Sequence, residues 1–345
     1  MRCWAVVVVA ACYAPSPQAG SACASNGACP APLVCAPATD TCERTAGGPA
    51  DAPPGGSDAA ARDTAIDAPP APDCWPLWEA MGSATPLTTP VALTVLNTST
   101  DDRHPWMSPD GLTLFWATGG AASANEQIVH ASRPTRAADA WTAPVVSTDP
   151  DTANVADQGA ALTADGLVVS FASSRAGGSG NTDLWQATRA STTEPFGSAD
   201  HAPYAAIDTS GIEADPDLSA DGLIIVYSNQ TGTQSIEFAT RATRADAFDA
   251  PQVITIAGAP ASLNNPRVSP DQLVLFYSGT LAGSTGVLVA TRTLDTAAFT
   301  TLGGIAIDGS ANDTGIGLSG DGCDLVFAST RASGDFDLFE TTVVQ

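Results

Sequence analysis

Five stretches of the chain share one pattern, and a pattern that recurs at a regular spacing confines a fold more tightly than any single motif. The copies start at Met107 (MSPDGLTLFWAT), Leu162 (LTADGLVVSFAS), Leu218 (LSADGLIIVYSN), Val268 (VSPDQLVLFYSG) and Leu318 (LSGDGCDLVFAS). Their turn aspartates, Asp110, Asp165, Asp221, Asp271 and Asp321, lie 50 to 56 residues apart, a period that suits propellers, solenoids or arrays.

Each copy has the same parts. A tetrapeptide such as Ser108-Pro109-Asp110-Gly111 reverses the chain, because proline presets φ and Asp-Gly accepts tight or left-handed conformations. The run after it, such as Leu223 to Tyr227 (LIIVY), is β-branched and aromatic and too short for a helix, so it reads as a strand covered on both faces. A Gly/Ser-rich loop follows, then a third strand ending in Ala-Thr-Arg at Arg189, Arg241 and Arg292, with Ala-Ser-Arg at Arg133 as a variant. An aromatic and a weak apolar run, as at Trp141 to Val146, Phe248 to Ile254 and Phe299 to Ile305, supply a fourth strand. Four strands per repeat make a propeller blade.

The succession of SPDG, apolar strand, Ser-x-Arg with a Gly-rich loop, and Asp-Leu-Trp or Asp-Leu-Phe resembles the PD40, or WD40-like, repeat of TolB-type propellers. The resemblance covers Asp102 to Gln345; Gln272 departs from the turn glycine, and the third and fourth copies lack the Arg/Asp loop. It implies an all-β propeller, and the five copies count out five four-stranded blades where the form familiar from TolB has six. The last copy ends at Gln345 without a fourth strand, and an orphan segment, Thr85 to Asn97, precedes the first. Laid beside Val343, that segment would complete blade five and leave no open sheet edge. A six-bladed ring would need another blade from residues 74 to 101, too few for the purpose.

Residues 1 to 11 (MRCWAVVVVAA) carry one positive charge and a valine run too short to span a bilayer, so they read as a leader. Val-Ala-Ala-Cys resembles the lipobox of bacterial lipoproteins, which implies acylation of Cys12 and an exported, membrane-anchored protein, periplasmic or at the outer membrane or cell surface. In residues 12 to 42, Cys23, Cys29, Cys35 and Cys42 are spaced too widely for a typical zinc site and have no histidine nearby. They are expected to form two disulfides, in any of three connectivities, that staple a small module. Residues 43 to 73, almost wholly Ala, Pro, Gly, Asp, Ser and Thr, lack the apolar content to order and read as a spacer. The propeller then spans 74 to 345. Cys74 and Cys323 remain as the last cysteines and are expected to pair.

The formal charge is −24, with thirteen arginines and no lysine, so no cationic face is available for nucleic acid. The chain contains no nucleophile elbow, phosphate loop, His-Glu-x-x-His or dinucleotide fingerprint. His104, His130 and His201 share no ligand spacing and are assigned surface or loop roles; no metal and no cofactor are expected. Eight residues before the turn aspartates stand Asp102, Asp157, Glu213, Leu263 and Asp313. The four carboxylates could ring a ligand-binding channel mouth or serve as a glycosidase acid–base pair. The favoured role is capping of their own loops. Arg175 is expected to pair with Asp183 and Arg331 with Asp337, while Trp116, Trp141 and Trp185 are placed in the core. The expected function is a monomeric, non-catalytic envelope lipoprotein whose propeller presents a platform to a protein or glycan partner. A carbohydrate-active propeller enzyme is the alternative.

Overall fold

The structure is a computed structural model that describes residues 33–36, 41–44, 73–119, 126–136, 141–147, 155–281, 283–307 and 311–345. The chain forms two compact units, Met1–Ala68 and Pro69–Gln345. In the first, strands Leu33–Ala36 and Thr41–Arg44 pair antiparallel, with Cys35 opposite Cys42. The leader, Cys12, Cys23, Cys29 and the spacer through residue 72 lie outside the described residues, as does the side-chain pairing expected of the cysteine module. Among the described residues no helix is long and apolar enough to cross a membrane.

The second unit is a five-bladed β-propeller. From inner to outer strand, blade one is Asp102–Met107, Thr113–Thr118, Gln127–Ser132 and Val145–Val146. Blade two is Asp157–Leu162, Val168–Ser173 and Asp183–Thr188, its fourth position reduced to a single bridge between Gln186 and Asp200. Blade three is Glu213–Leu218, Ile224–Asn229, Ser235–Thr240 and Gln252–Val253. Blade four is Asn264–Val268, Val274–Leu281, Ser284–Thr291 and Phe299–Gly304, with Ile256–Ala257 added in parallel at its rim. Blade five is Asp313–Leu318, Asp324–Ser329 and Asp337–Thr342, completed by Val91–Ala92 from the N-terminal side. Ala92 stands opposite Phe339, and Leu87 bridges Val343, so the expected closure of the ring is present.

The repeated turn has one chemistry in all five blades. The hydroxyl of Ser108, Thr163, Ser219, Ser269 or Ser319 donates to the turn aspartate two residues on, at 2.5–2.7 Å. The same carboxylate oxygen accepts the backbone N–H two residues further along, at 2.9–3.1 Å. The hydroxyl oxygen in turn accepts the N–H that opens the second strand. These bonds hold the turn so firmly that Gln272 takes the left-handed conformation, φ 64°, that glycine adopts in the other copies.

The Ala-Thr-Arg arginines lock each turn to its outer strand. Nε of Arg133, Arg189, Arg241 and Arg292 donates to the carbonyl of Gly111, Gly166, Gly222 and Gln272, at 2.7–2.8 Å. The guanidinium groups lie 4.4–4.5 Å from the ring centres of Trp141, Phe196, Phe248 and Phe299. The aromatic that opens the fourth strand is therefore the floor under the arginine that closes the third.

Second strands form the core of each blade, as their sequences require: Leu114, Trp116, Phe171, Ile225, Tyr227, Phe276 and Phe327 are fully buried. Trp141 and Trp185 are buried as well. Residues 74 to 84 make no blade. Cys74 bonds to Cys323, and helix Trp75–Met81 packs Trp78 edge-on against Phe276 at 4.8 Å. Indole N–H groups of Trp75 and Trp78 donate to the carbonyls of Gly320 and Gly322, both at 2.9 Å.

Candidate functional site

Asp102, Asp157, Glu213 and Asp313 each open an inner strand and are buried. Each carboxylate is engaged close to home. Asp102 accepts the Thr98 N–H at 2.6 Å and the Trp116 indole N–H at 3.1 Å. Glu213 accepts the hydroxyl and N–H of Thr209. Asp157 and Asp313 pair with Arg175 at 2.8 Å and Arg331 at 2.9 Å. Burial raises Asp102, Glu213 and Asp313 above the ordinary carboxylate range, and the local donors pull them back. Leu263, the fourth copy's counterpart, is buried and apolar.

The loop arginines thus take a different ion partner from the one expected. Inner and second strands are in register so that Asp157 stands opposite Ser173 and Asp313 opposite Ser329, each two residues before its arginine. That places the guanidinium over the inner-strand carboxylate. Asp183 accepts the Gly180 N–H, and Asp337 accepts the Ser333 hydroxyl.

The axis is built two residues further along each inner strand. There His104, Gly159, Asp215, Asn265 and Gly315 all have φ between 50° and 64°, each within a break in strand register. These five bulges turn one residue per blade toward the centre. Nδ1 of His104 lies 2.8 Å from Oδ1 of Asn265 and 2.9 Å from Oδ1 of Asp215. Asp215 also accepts the Ser228 hydroxyl and the Asn265 N–H through Oδ2. Gly159 makes room for this cluster, since a Cβ there would lie 3.3 Å from the Asp215 backbone. Burial opposes the imidazolium, yet Asp215 and Glu126 carry the His104 pKa above its ordinary value; burial likewise opposes the Asp215 carboxylate, yet His104, Ser228 and the Asn265 N–H hold it below the carboxylate range.

A second polar layer follows. Arg267, buried, donates to the carbonyls of Pro216 and Pro266 and, at 3.4 Å, of Pro105, joining three blades. Its neighbour Asp217 accepts the Val268 N–H at 2.8 Å. Side chains therefore occupy the axis at both levels, and His104 is an internal residue rather than a surface one. The other two histidines are bonded too: His130 stacks on Phe115 and contacts Ser147, and His201 pairs with Asp208 at 2.8 Å. Asp183, Asp208 and Glu213 form the one acidic group among the described residues close enough to share a metal ion.

A concave surface lies between blades one and two. A cleft of about 510 Å³ is floored by Trp106, Phe115 and Phe196 and flanked by Val145 and Val146, with Asp110, Asp165, Arg189 and Glu194 around its rim. Val145 and Val146 are 54% and 39% exposed, apolar surface left open at the outer strand of blade one.

No family model matches this sequence, and no curated protein is significantly similar to it. Solved structures do match. An endo-arabinase from Bacteroides thetaiotaomicron aligns over 75% of this chain and 98% of its own, at 12% identity and a TM-score of 0.51. TolB from Acinetobacter baumannii aligns over 72% of this chain at 16% identity and a TM-score of 0.44, and a TolB-like protein from Agrobacterium tumefaciens over 71% at 15% and 0.45. This chain spans 56% of the Acinetobacter protein and 77% of the Agrobacterium one. At 12% identity the likeness to the endo-arabinase shows a shared β-propeller fold and nothing about activity.

Proposed function

We propose that this protein is a non-catalytic binding platform of a bacterial cell envelope, tethered through an acylated Cys12 and the spacer at 43 to 73, which receives a protein or glycan partner in the cleft between blades one and two. The observation that carries this reading is the contrast between the propeller axis and the cleft between blades one and two. The axis is filled by its own bonded side chains, whereas the cleft presents an aromatic floor, exposed valines and a polar rim. Such a composition suits recognition, because aromatic floors supply contact area at low conformational cost and the rim supplies direction. Glycoside hydrolysis needs two carboxyl groups facing a common bond, about 5–9.5 Å apart. The four inner-strand carboxylates are instead engaged by their own loops and arginines.

The test pairs binding with turnover. Full-length protein and a Val145→Glu variant are titrated with envelope fractions and purified glycans, and both are assayed for hydrolysis of a polysaccharide panel that includes arabinan. Binding lost in Val145→Glu but kept in Val253→Glu, at the matching outer strand of blade three, supports the cleft. Turnover abolished by Asp215→Asn would instead make the protein an enzyme working at its axis.

A further inference from the structure

The loop between the second and third strands of blade two, residues 174 to 182, runs beside the connection from blade two to blade three, residues 205 to 212. Thr182 bridges Ile212 in parallel, the Asn181 N–H donates to Gly211 O, and the Glu213 N–H donates to Thr182 O. This zipper brings Asp208, which lies in the connection and outside the repeat pattern, against two repeat carboxylates: Asp183, Asp208 and Glu213 each offer an oxygen within 4.8 Å of the other two. Asp183 and Glu213 are fully buried, and the side chain of Asp208 is 7% exposed.

Hydrogen bonding leaves the group unfinished. Oδ2 of Asp208 receives His201 Nε2, but its Oδ1 is buried without a hydrogen-bond partner. Asp208 also has the Ser179 side chain as a neighbour, and its carboxyl lies against that of Asp183, a contact that calls for a shared proton or a bridging cation. Burying three carboxylates against a single imidazole is costly unless more positive charge or a proton joins them. Two ligands of one calcium ion, each about 2.3–2.6 Å from it, can be at most about 5 Å apart, so the observed 4.8 Å limit fits one ion.

The surroundings supply the rest of an oxygen cage. Gly178 is packed so closely that a Cβ would meet Asp183 Oδ2 at 2.0 Å. A Cβ on Gly180 would lie 2.3 Å from Gly211 O, 3.0 Å from Thr209 O and 3.1 Å from Asp183 Oδ1, so two backbone carbonyls converge beside that carboxylate. From these observations we infer that Asp183, Asp208 and Glu213 bind one calcium ion, which staples the glycine-rich loop of blade two to the start of blade three. All-oxygen donors, several of them charged, and flexible loops suit Ca²⁺ better than Mg²⁺, which keeps a tight octahedron and most of its waters. The site is separate from the cleft between blades one and two and does not depend on what that cleft receives.

Calorimetric titration of the metal-stripped full chain with CaCl₂ tests this, alongside Tb³⁺ luminescence excited through tryptophan, the ring of Trp185 lying tilted against that of His201 at 5.0 Å. The expected result is one Ca²⁺ per chain, a dissociation constant between about 10⁻⁶ and 10⁻³ M, and Tb³⁺ emission displaced by Ca²⁺. Asp208→Asn and Glu213→Gln each weaken binding at least about tenfold, and Asp249→Asn, an exposed carboxylate of blade three, leaves it unchanged. Should one of the two site variants fail to fold, the other and the wild-type titration decide. No saturable binding by the wild type, or unchanged binding in both site variants, overturns the inference and leaves a shared proton as what joins these carboxyls.

Discussion

Arg136 of blade one grips Asp321, the turn aspartate of blade five, with both terminal nitrogens of its guanidinium, while its Nε donates to Asp324 at 2.7 Å. Arg244 makes the same reach from blade three to Asp165 of blade two. The turn aspartate thus has two duties: it builds its own hairpin and receives an arginine from the next blade.

Replacing Arg136 by Ala should lower unfolding stability by about 1–2 kcal/mol, since it joins two carboxylates and is 28% exposed. Arg244→Ala should cost less than about 1 kcal/mol, its pair being more open to water. The Arg136 effect has a pH signature. Burial opposes ionisation of Asp321, but Arg136 and the turn donors hold it below its ordinary 3.8. A depressed carboxylate contributes stability above that value and loses it as pH falls. Denaturant curves of wild type and Arg136→Ala should therefore converge in acid.

The bond between Cys74 and Cys323 closes a sequence separation of 249 residues. The double variant Cys74→Ser/Cys323→Ser should lose about 2–5 kcal/mol by urea unfolding, with the secondary structure by circular dichroism retained. A loss under 1 kcal/mol would mean that Trp75 and Trp78 hold the segment by packing alone.

Arg241 is buried, stacked on Phe248, and bonded to Gly222 O at 2.7 Å and to Gln186 of blade two at 2.9 Å. Arg241→Ala should cost about 3 kcal/mol, the sum of a lost π contact and stranded acceptors. Lysine should recover little of this, because an ammonium cannot serve both acceptors while lying flat on the ring.

On the axis, His104→Asn keeps a residue type that tolerates φ 55° while removing the imidazole. The His104 pKa is raised from 6.5 by Asp215 and Glu126 despite burial and the opposing charge of Arg103. Its contribution is fully present below that pH and fades as pH climbs through the raised value. The stability gap between wild type and His104→Asn should therefore be widest near pH 5.5 and narrow steadily toward pH 9. His201, also raised, and His130, lowered, are common to both proteins and cancel in the difference.

The blade count, the hairpins and the origin of the strand that closes blade five were all legible in the chain, because each depends on local turn chemistry repeated five times. The axis was not. Its residues occupy one repeat column reading His104, Gly159, Asp215, Asn265 and Gly315, which looks unrelated until sorted by backbone tolerance. Glycine, asparagine and aspartate mixed in one column mark a left-handed position, and that signal was available. The partners of Arg175 and Arg331 escaped for another reason: the pairing depends on cross-strand register, which loop spacing alone does not reveal. The acidic group at Asp183, Asp208 and Glu213 unites the starts of two strands in different blades with the connection between those blades, a proximity created by ring packing.

Val91 finds its partner in Glu340, in the last copy of the repeat. During synthesis the strand that precedes the first copy must therefore wait for the fifth before blade five can be finished. Until then that sheet stays one strand short.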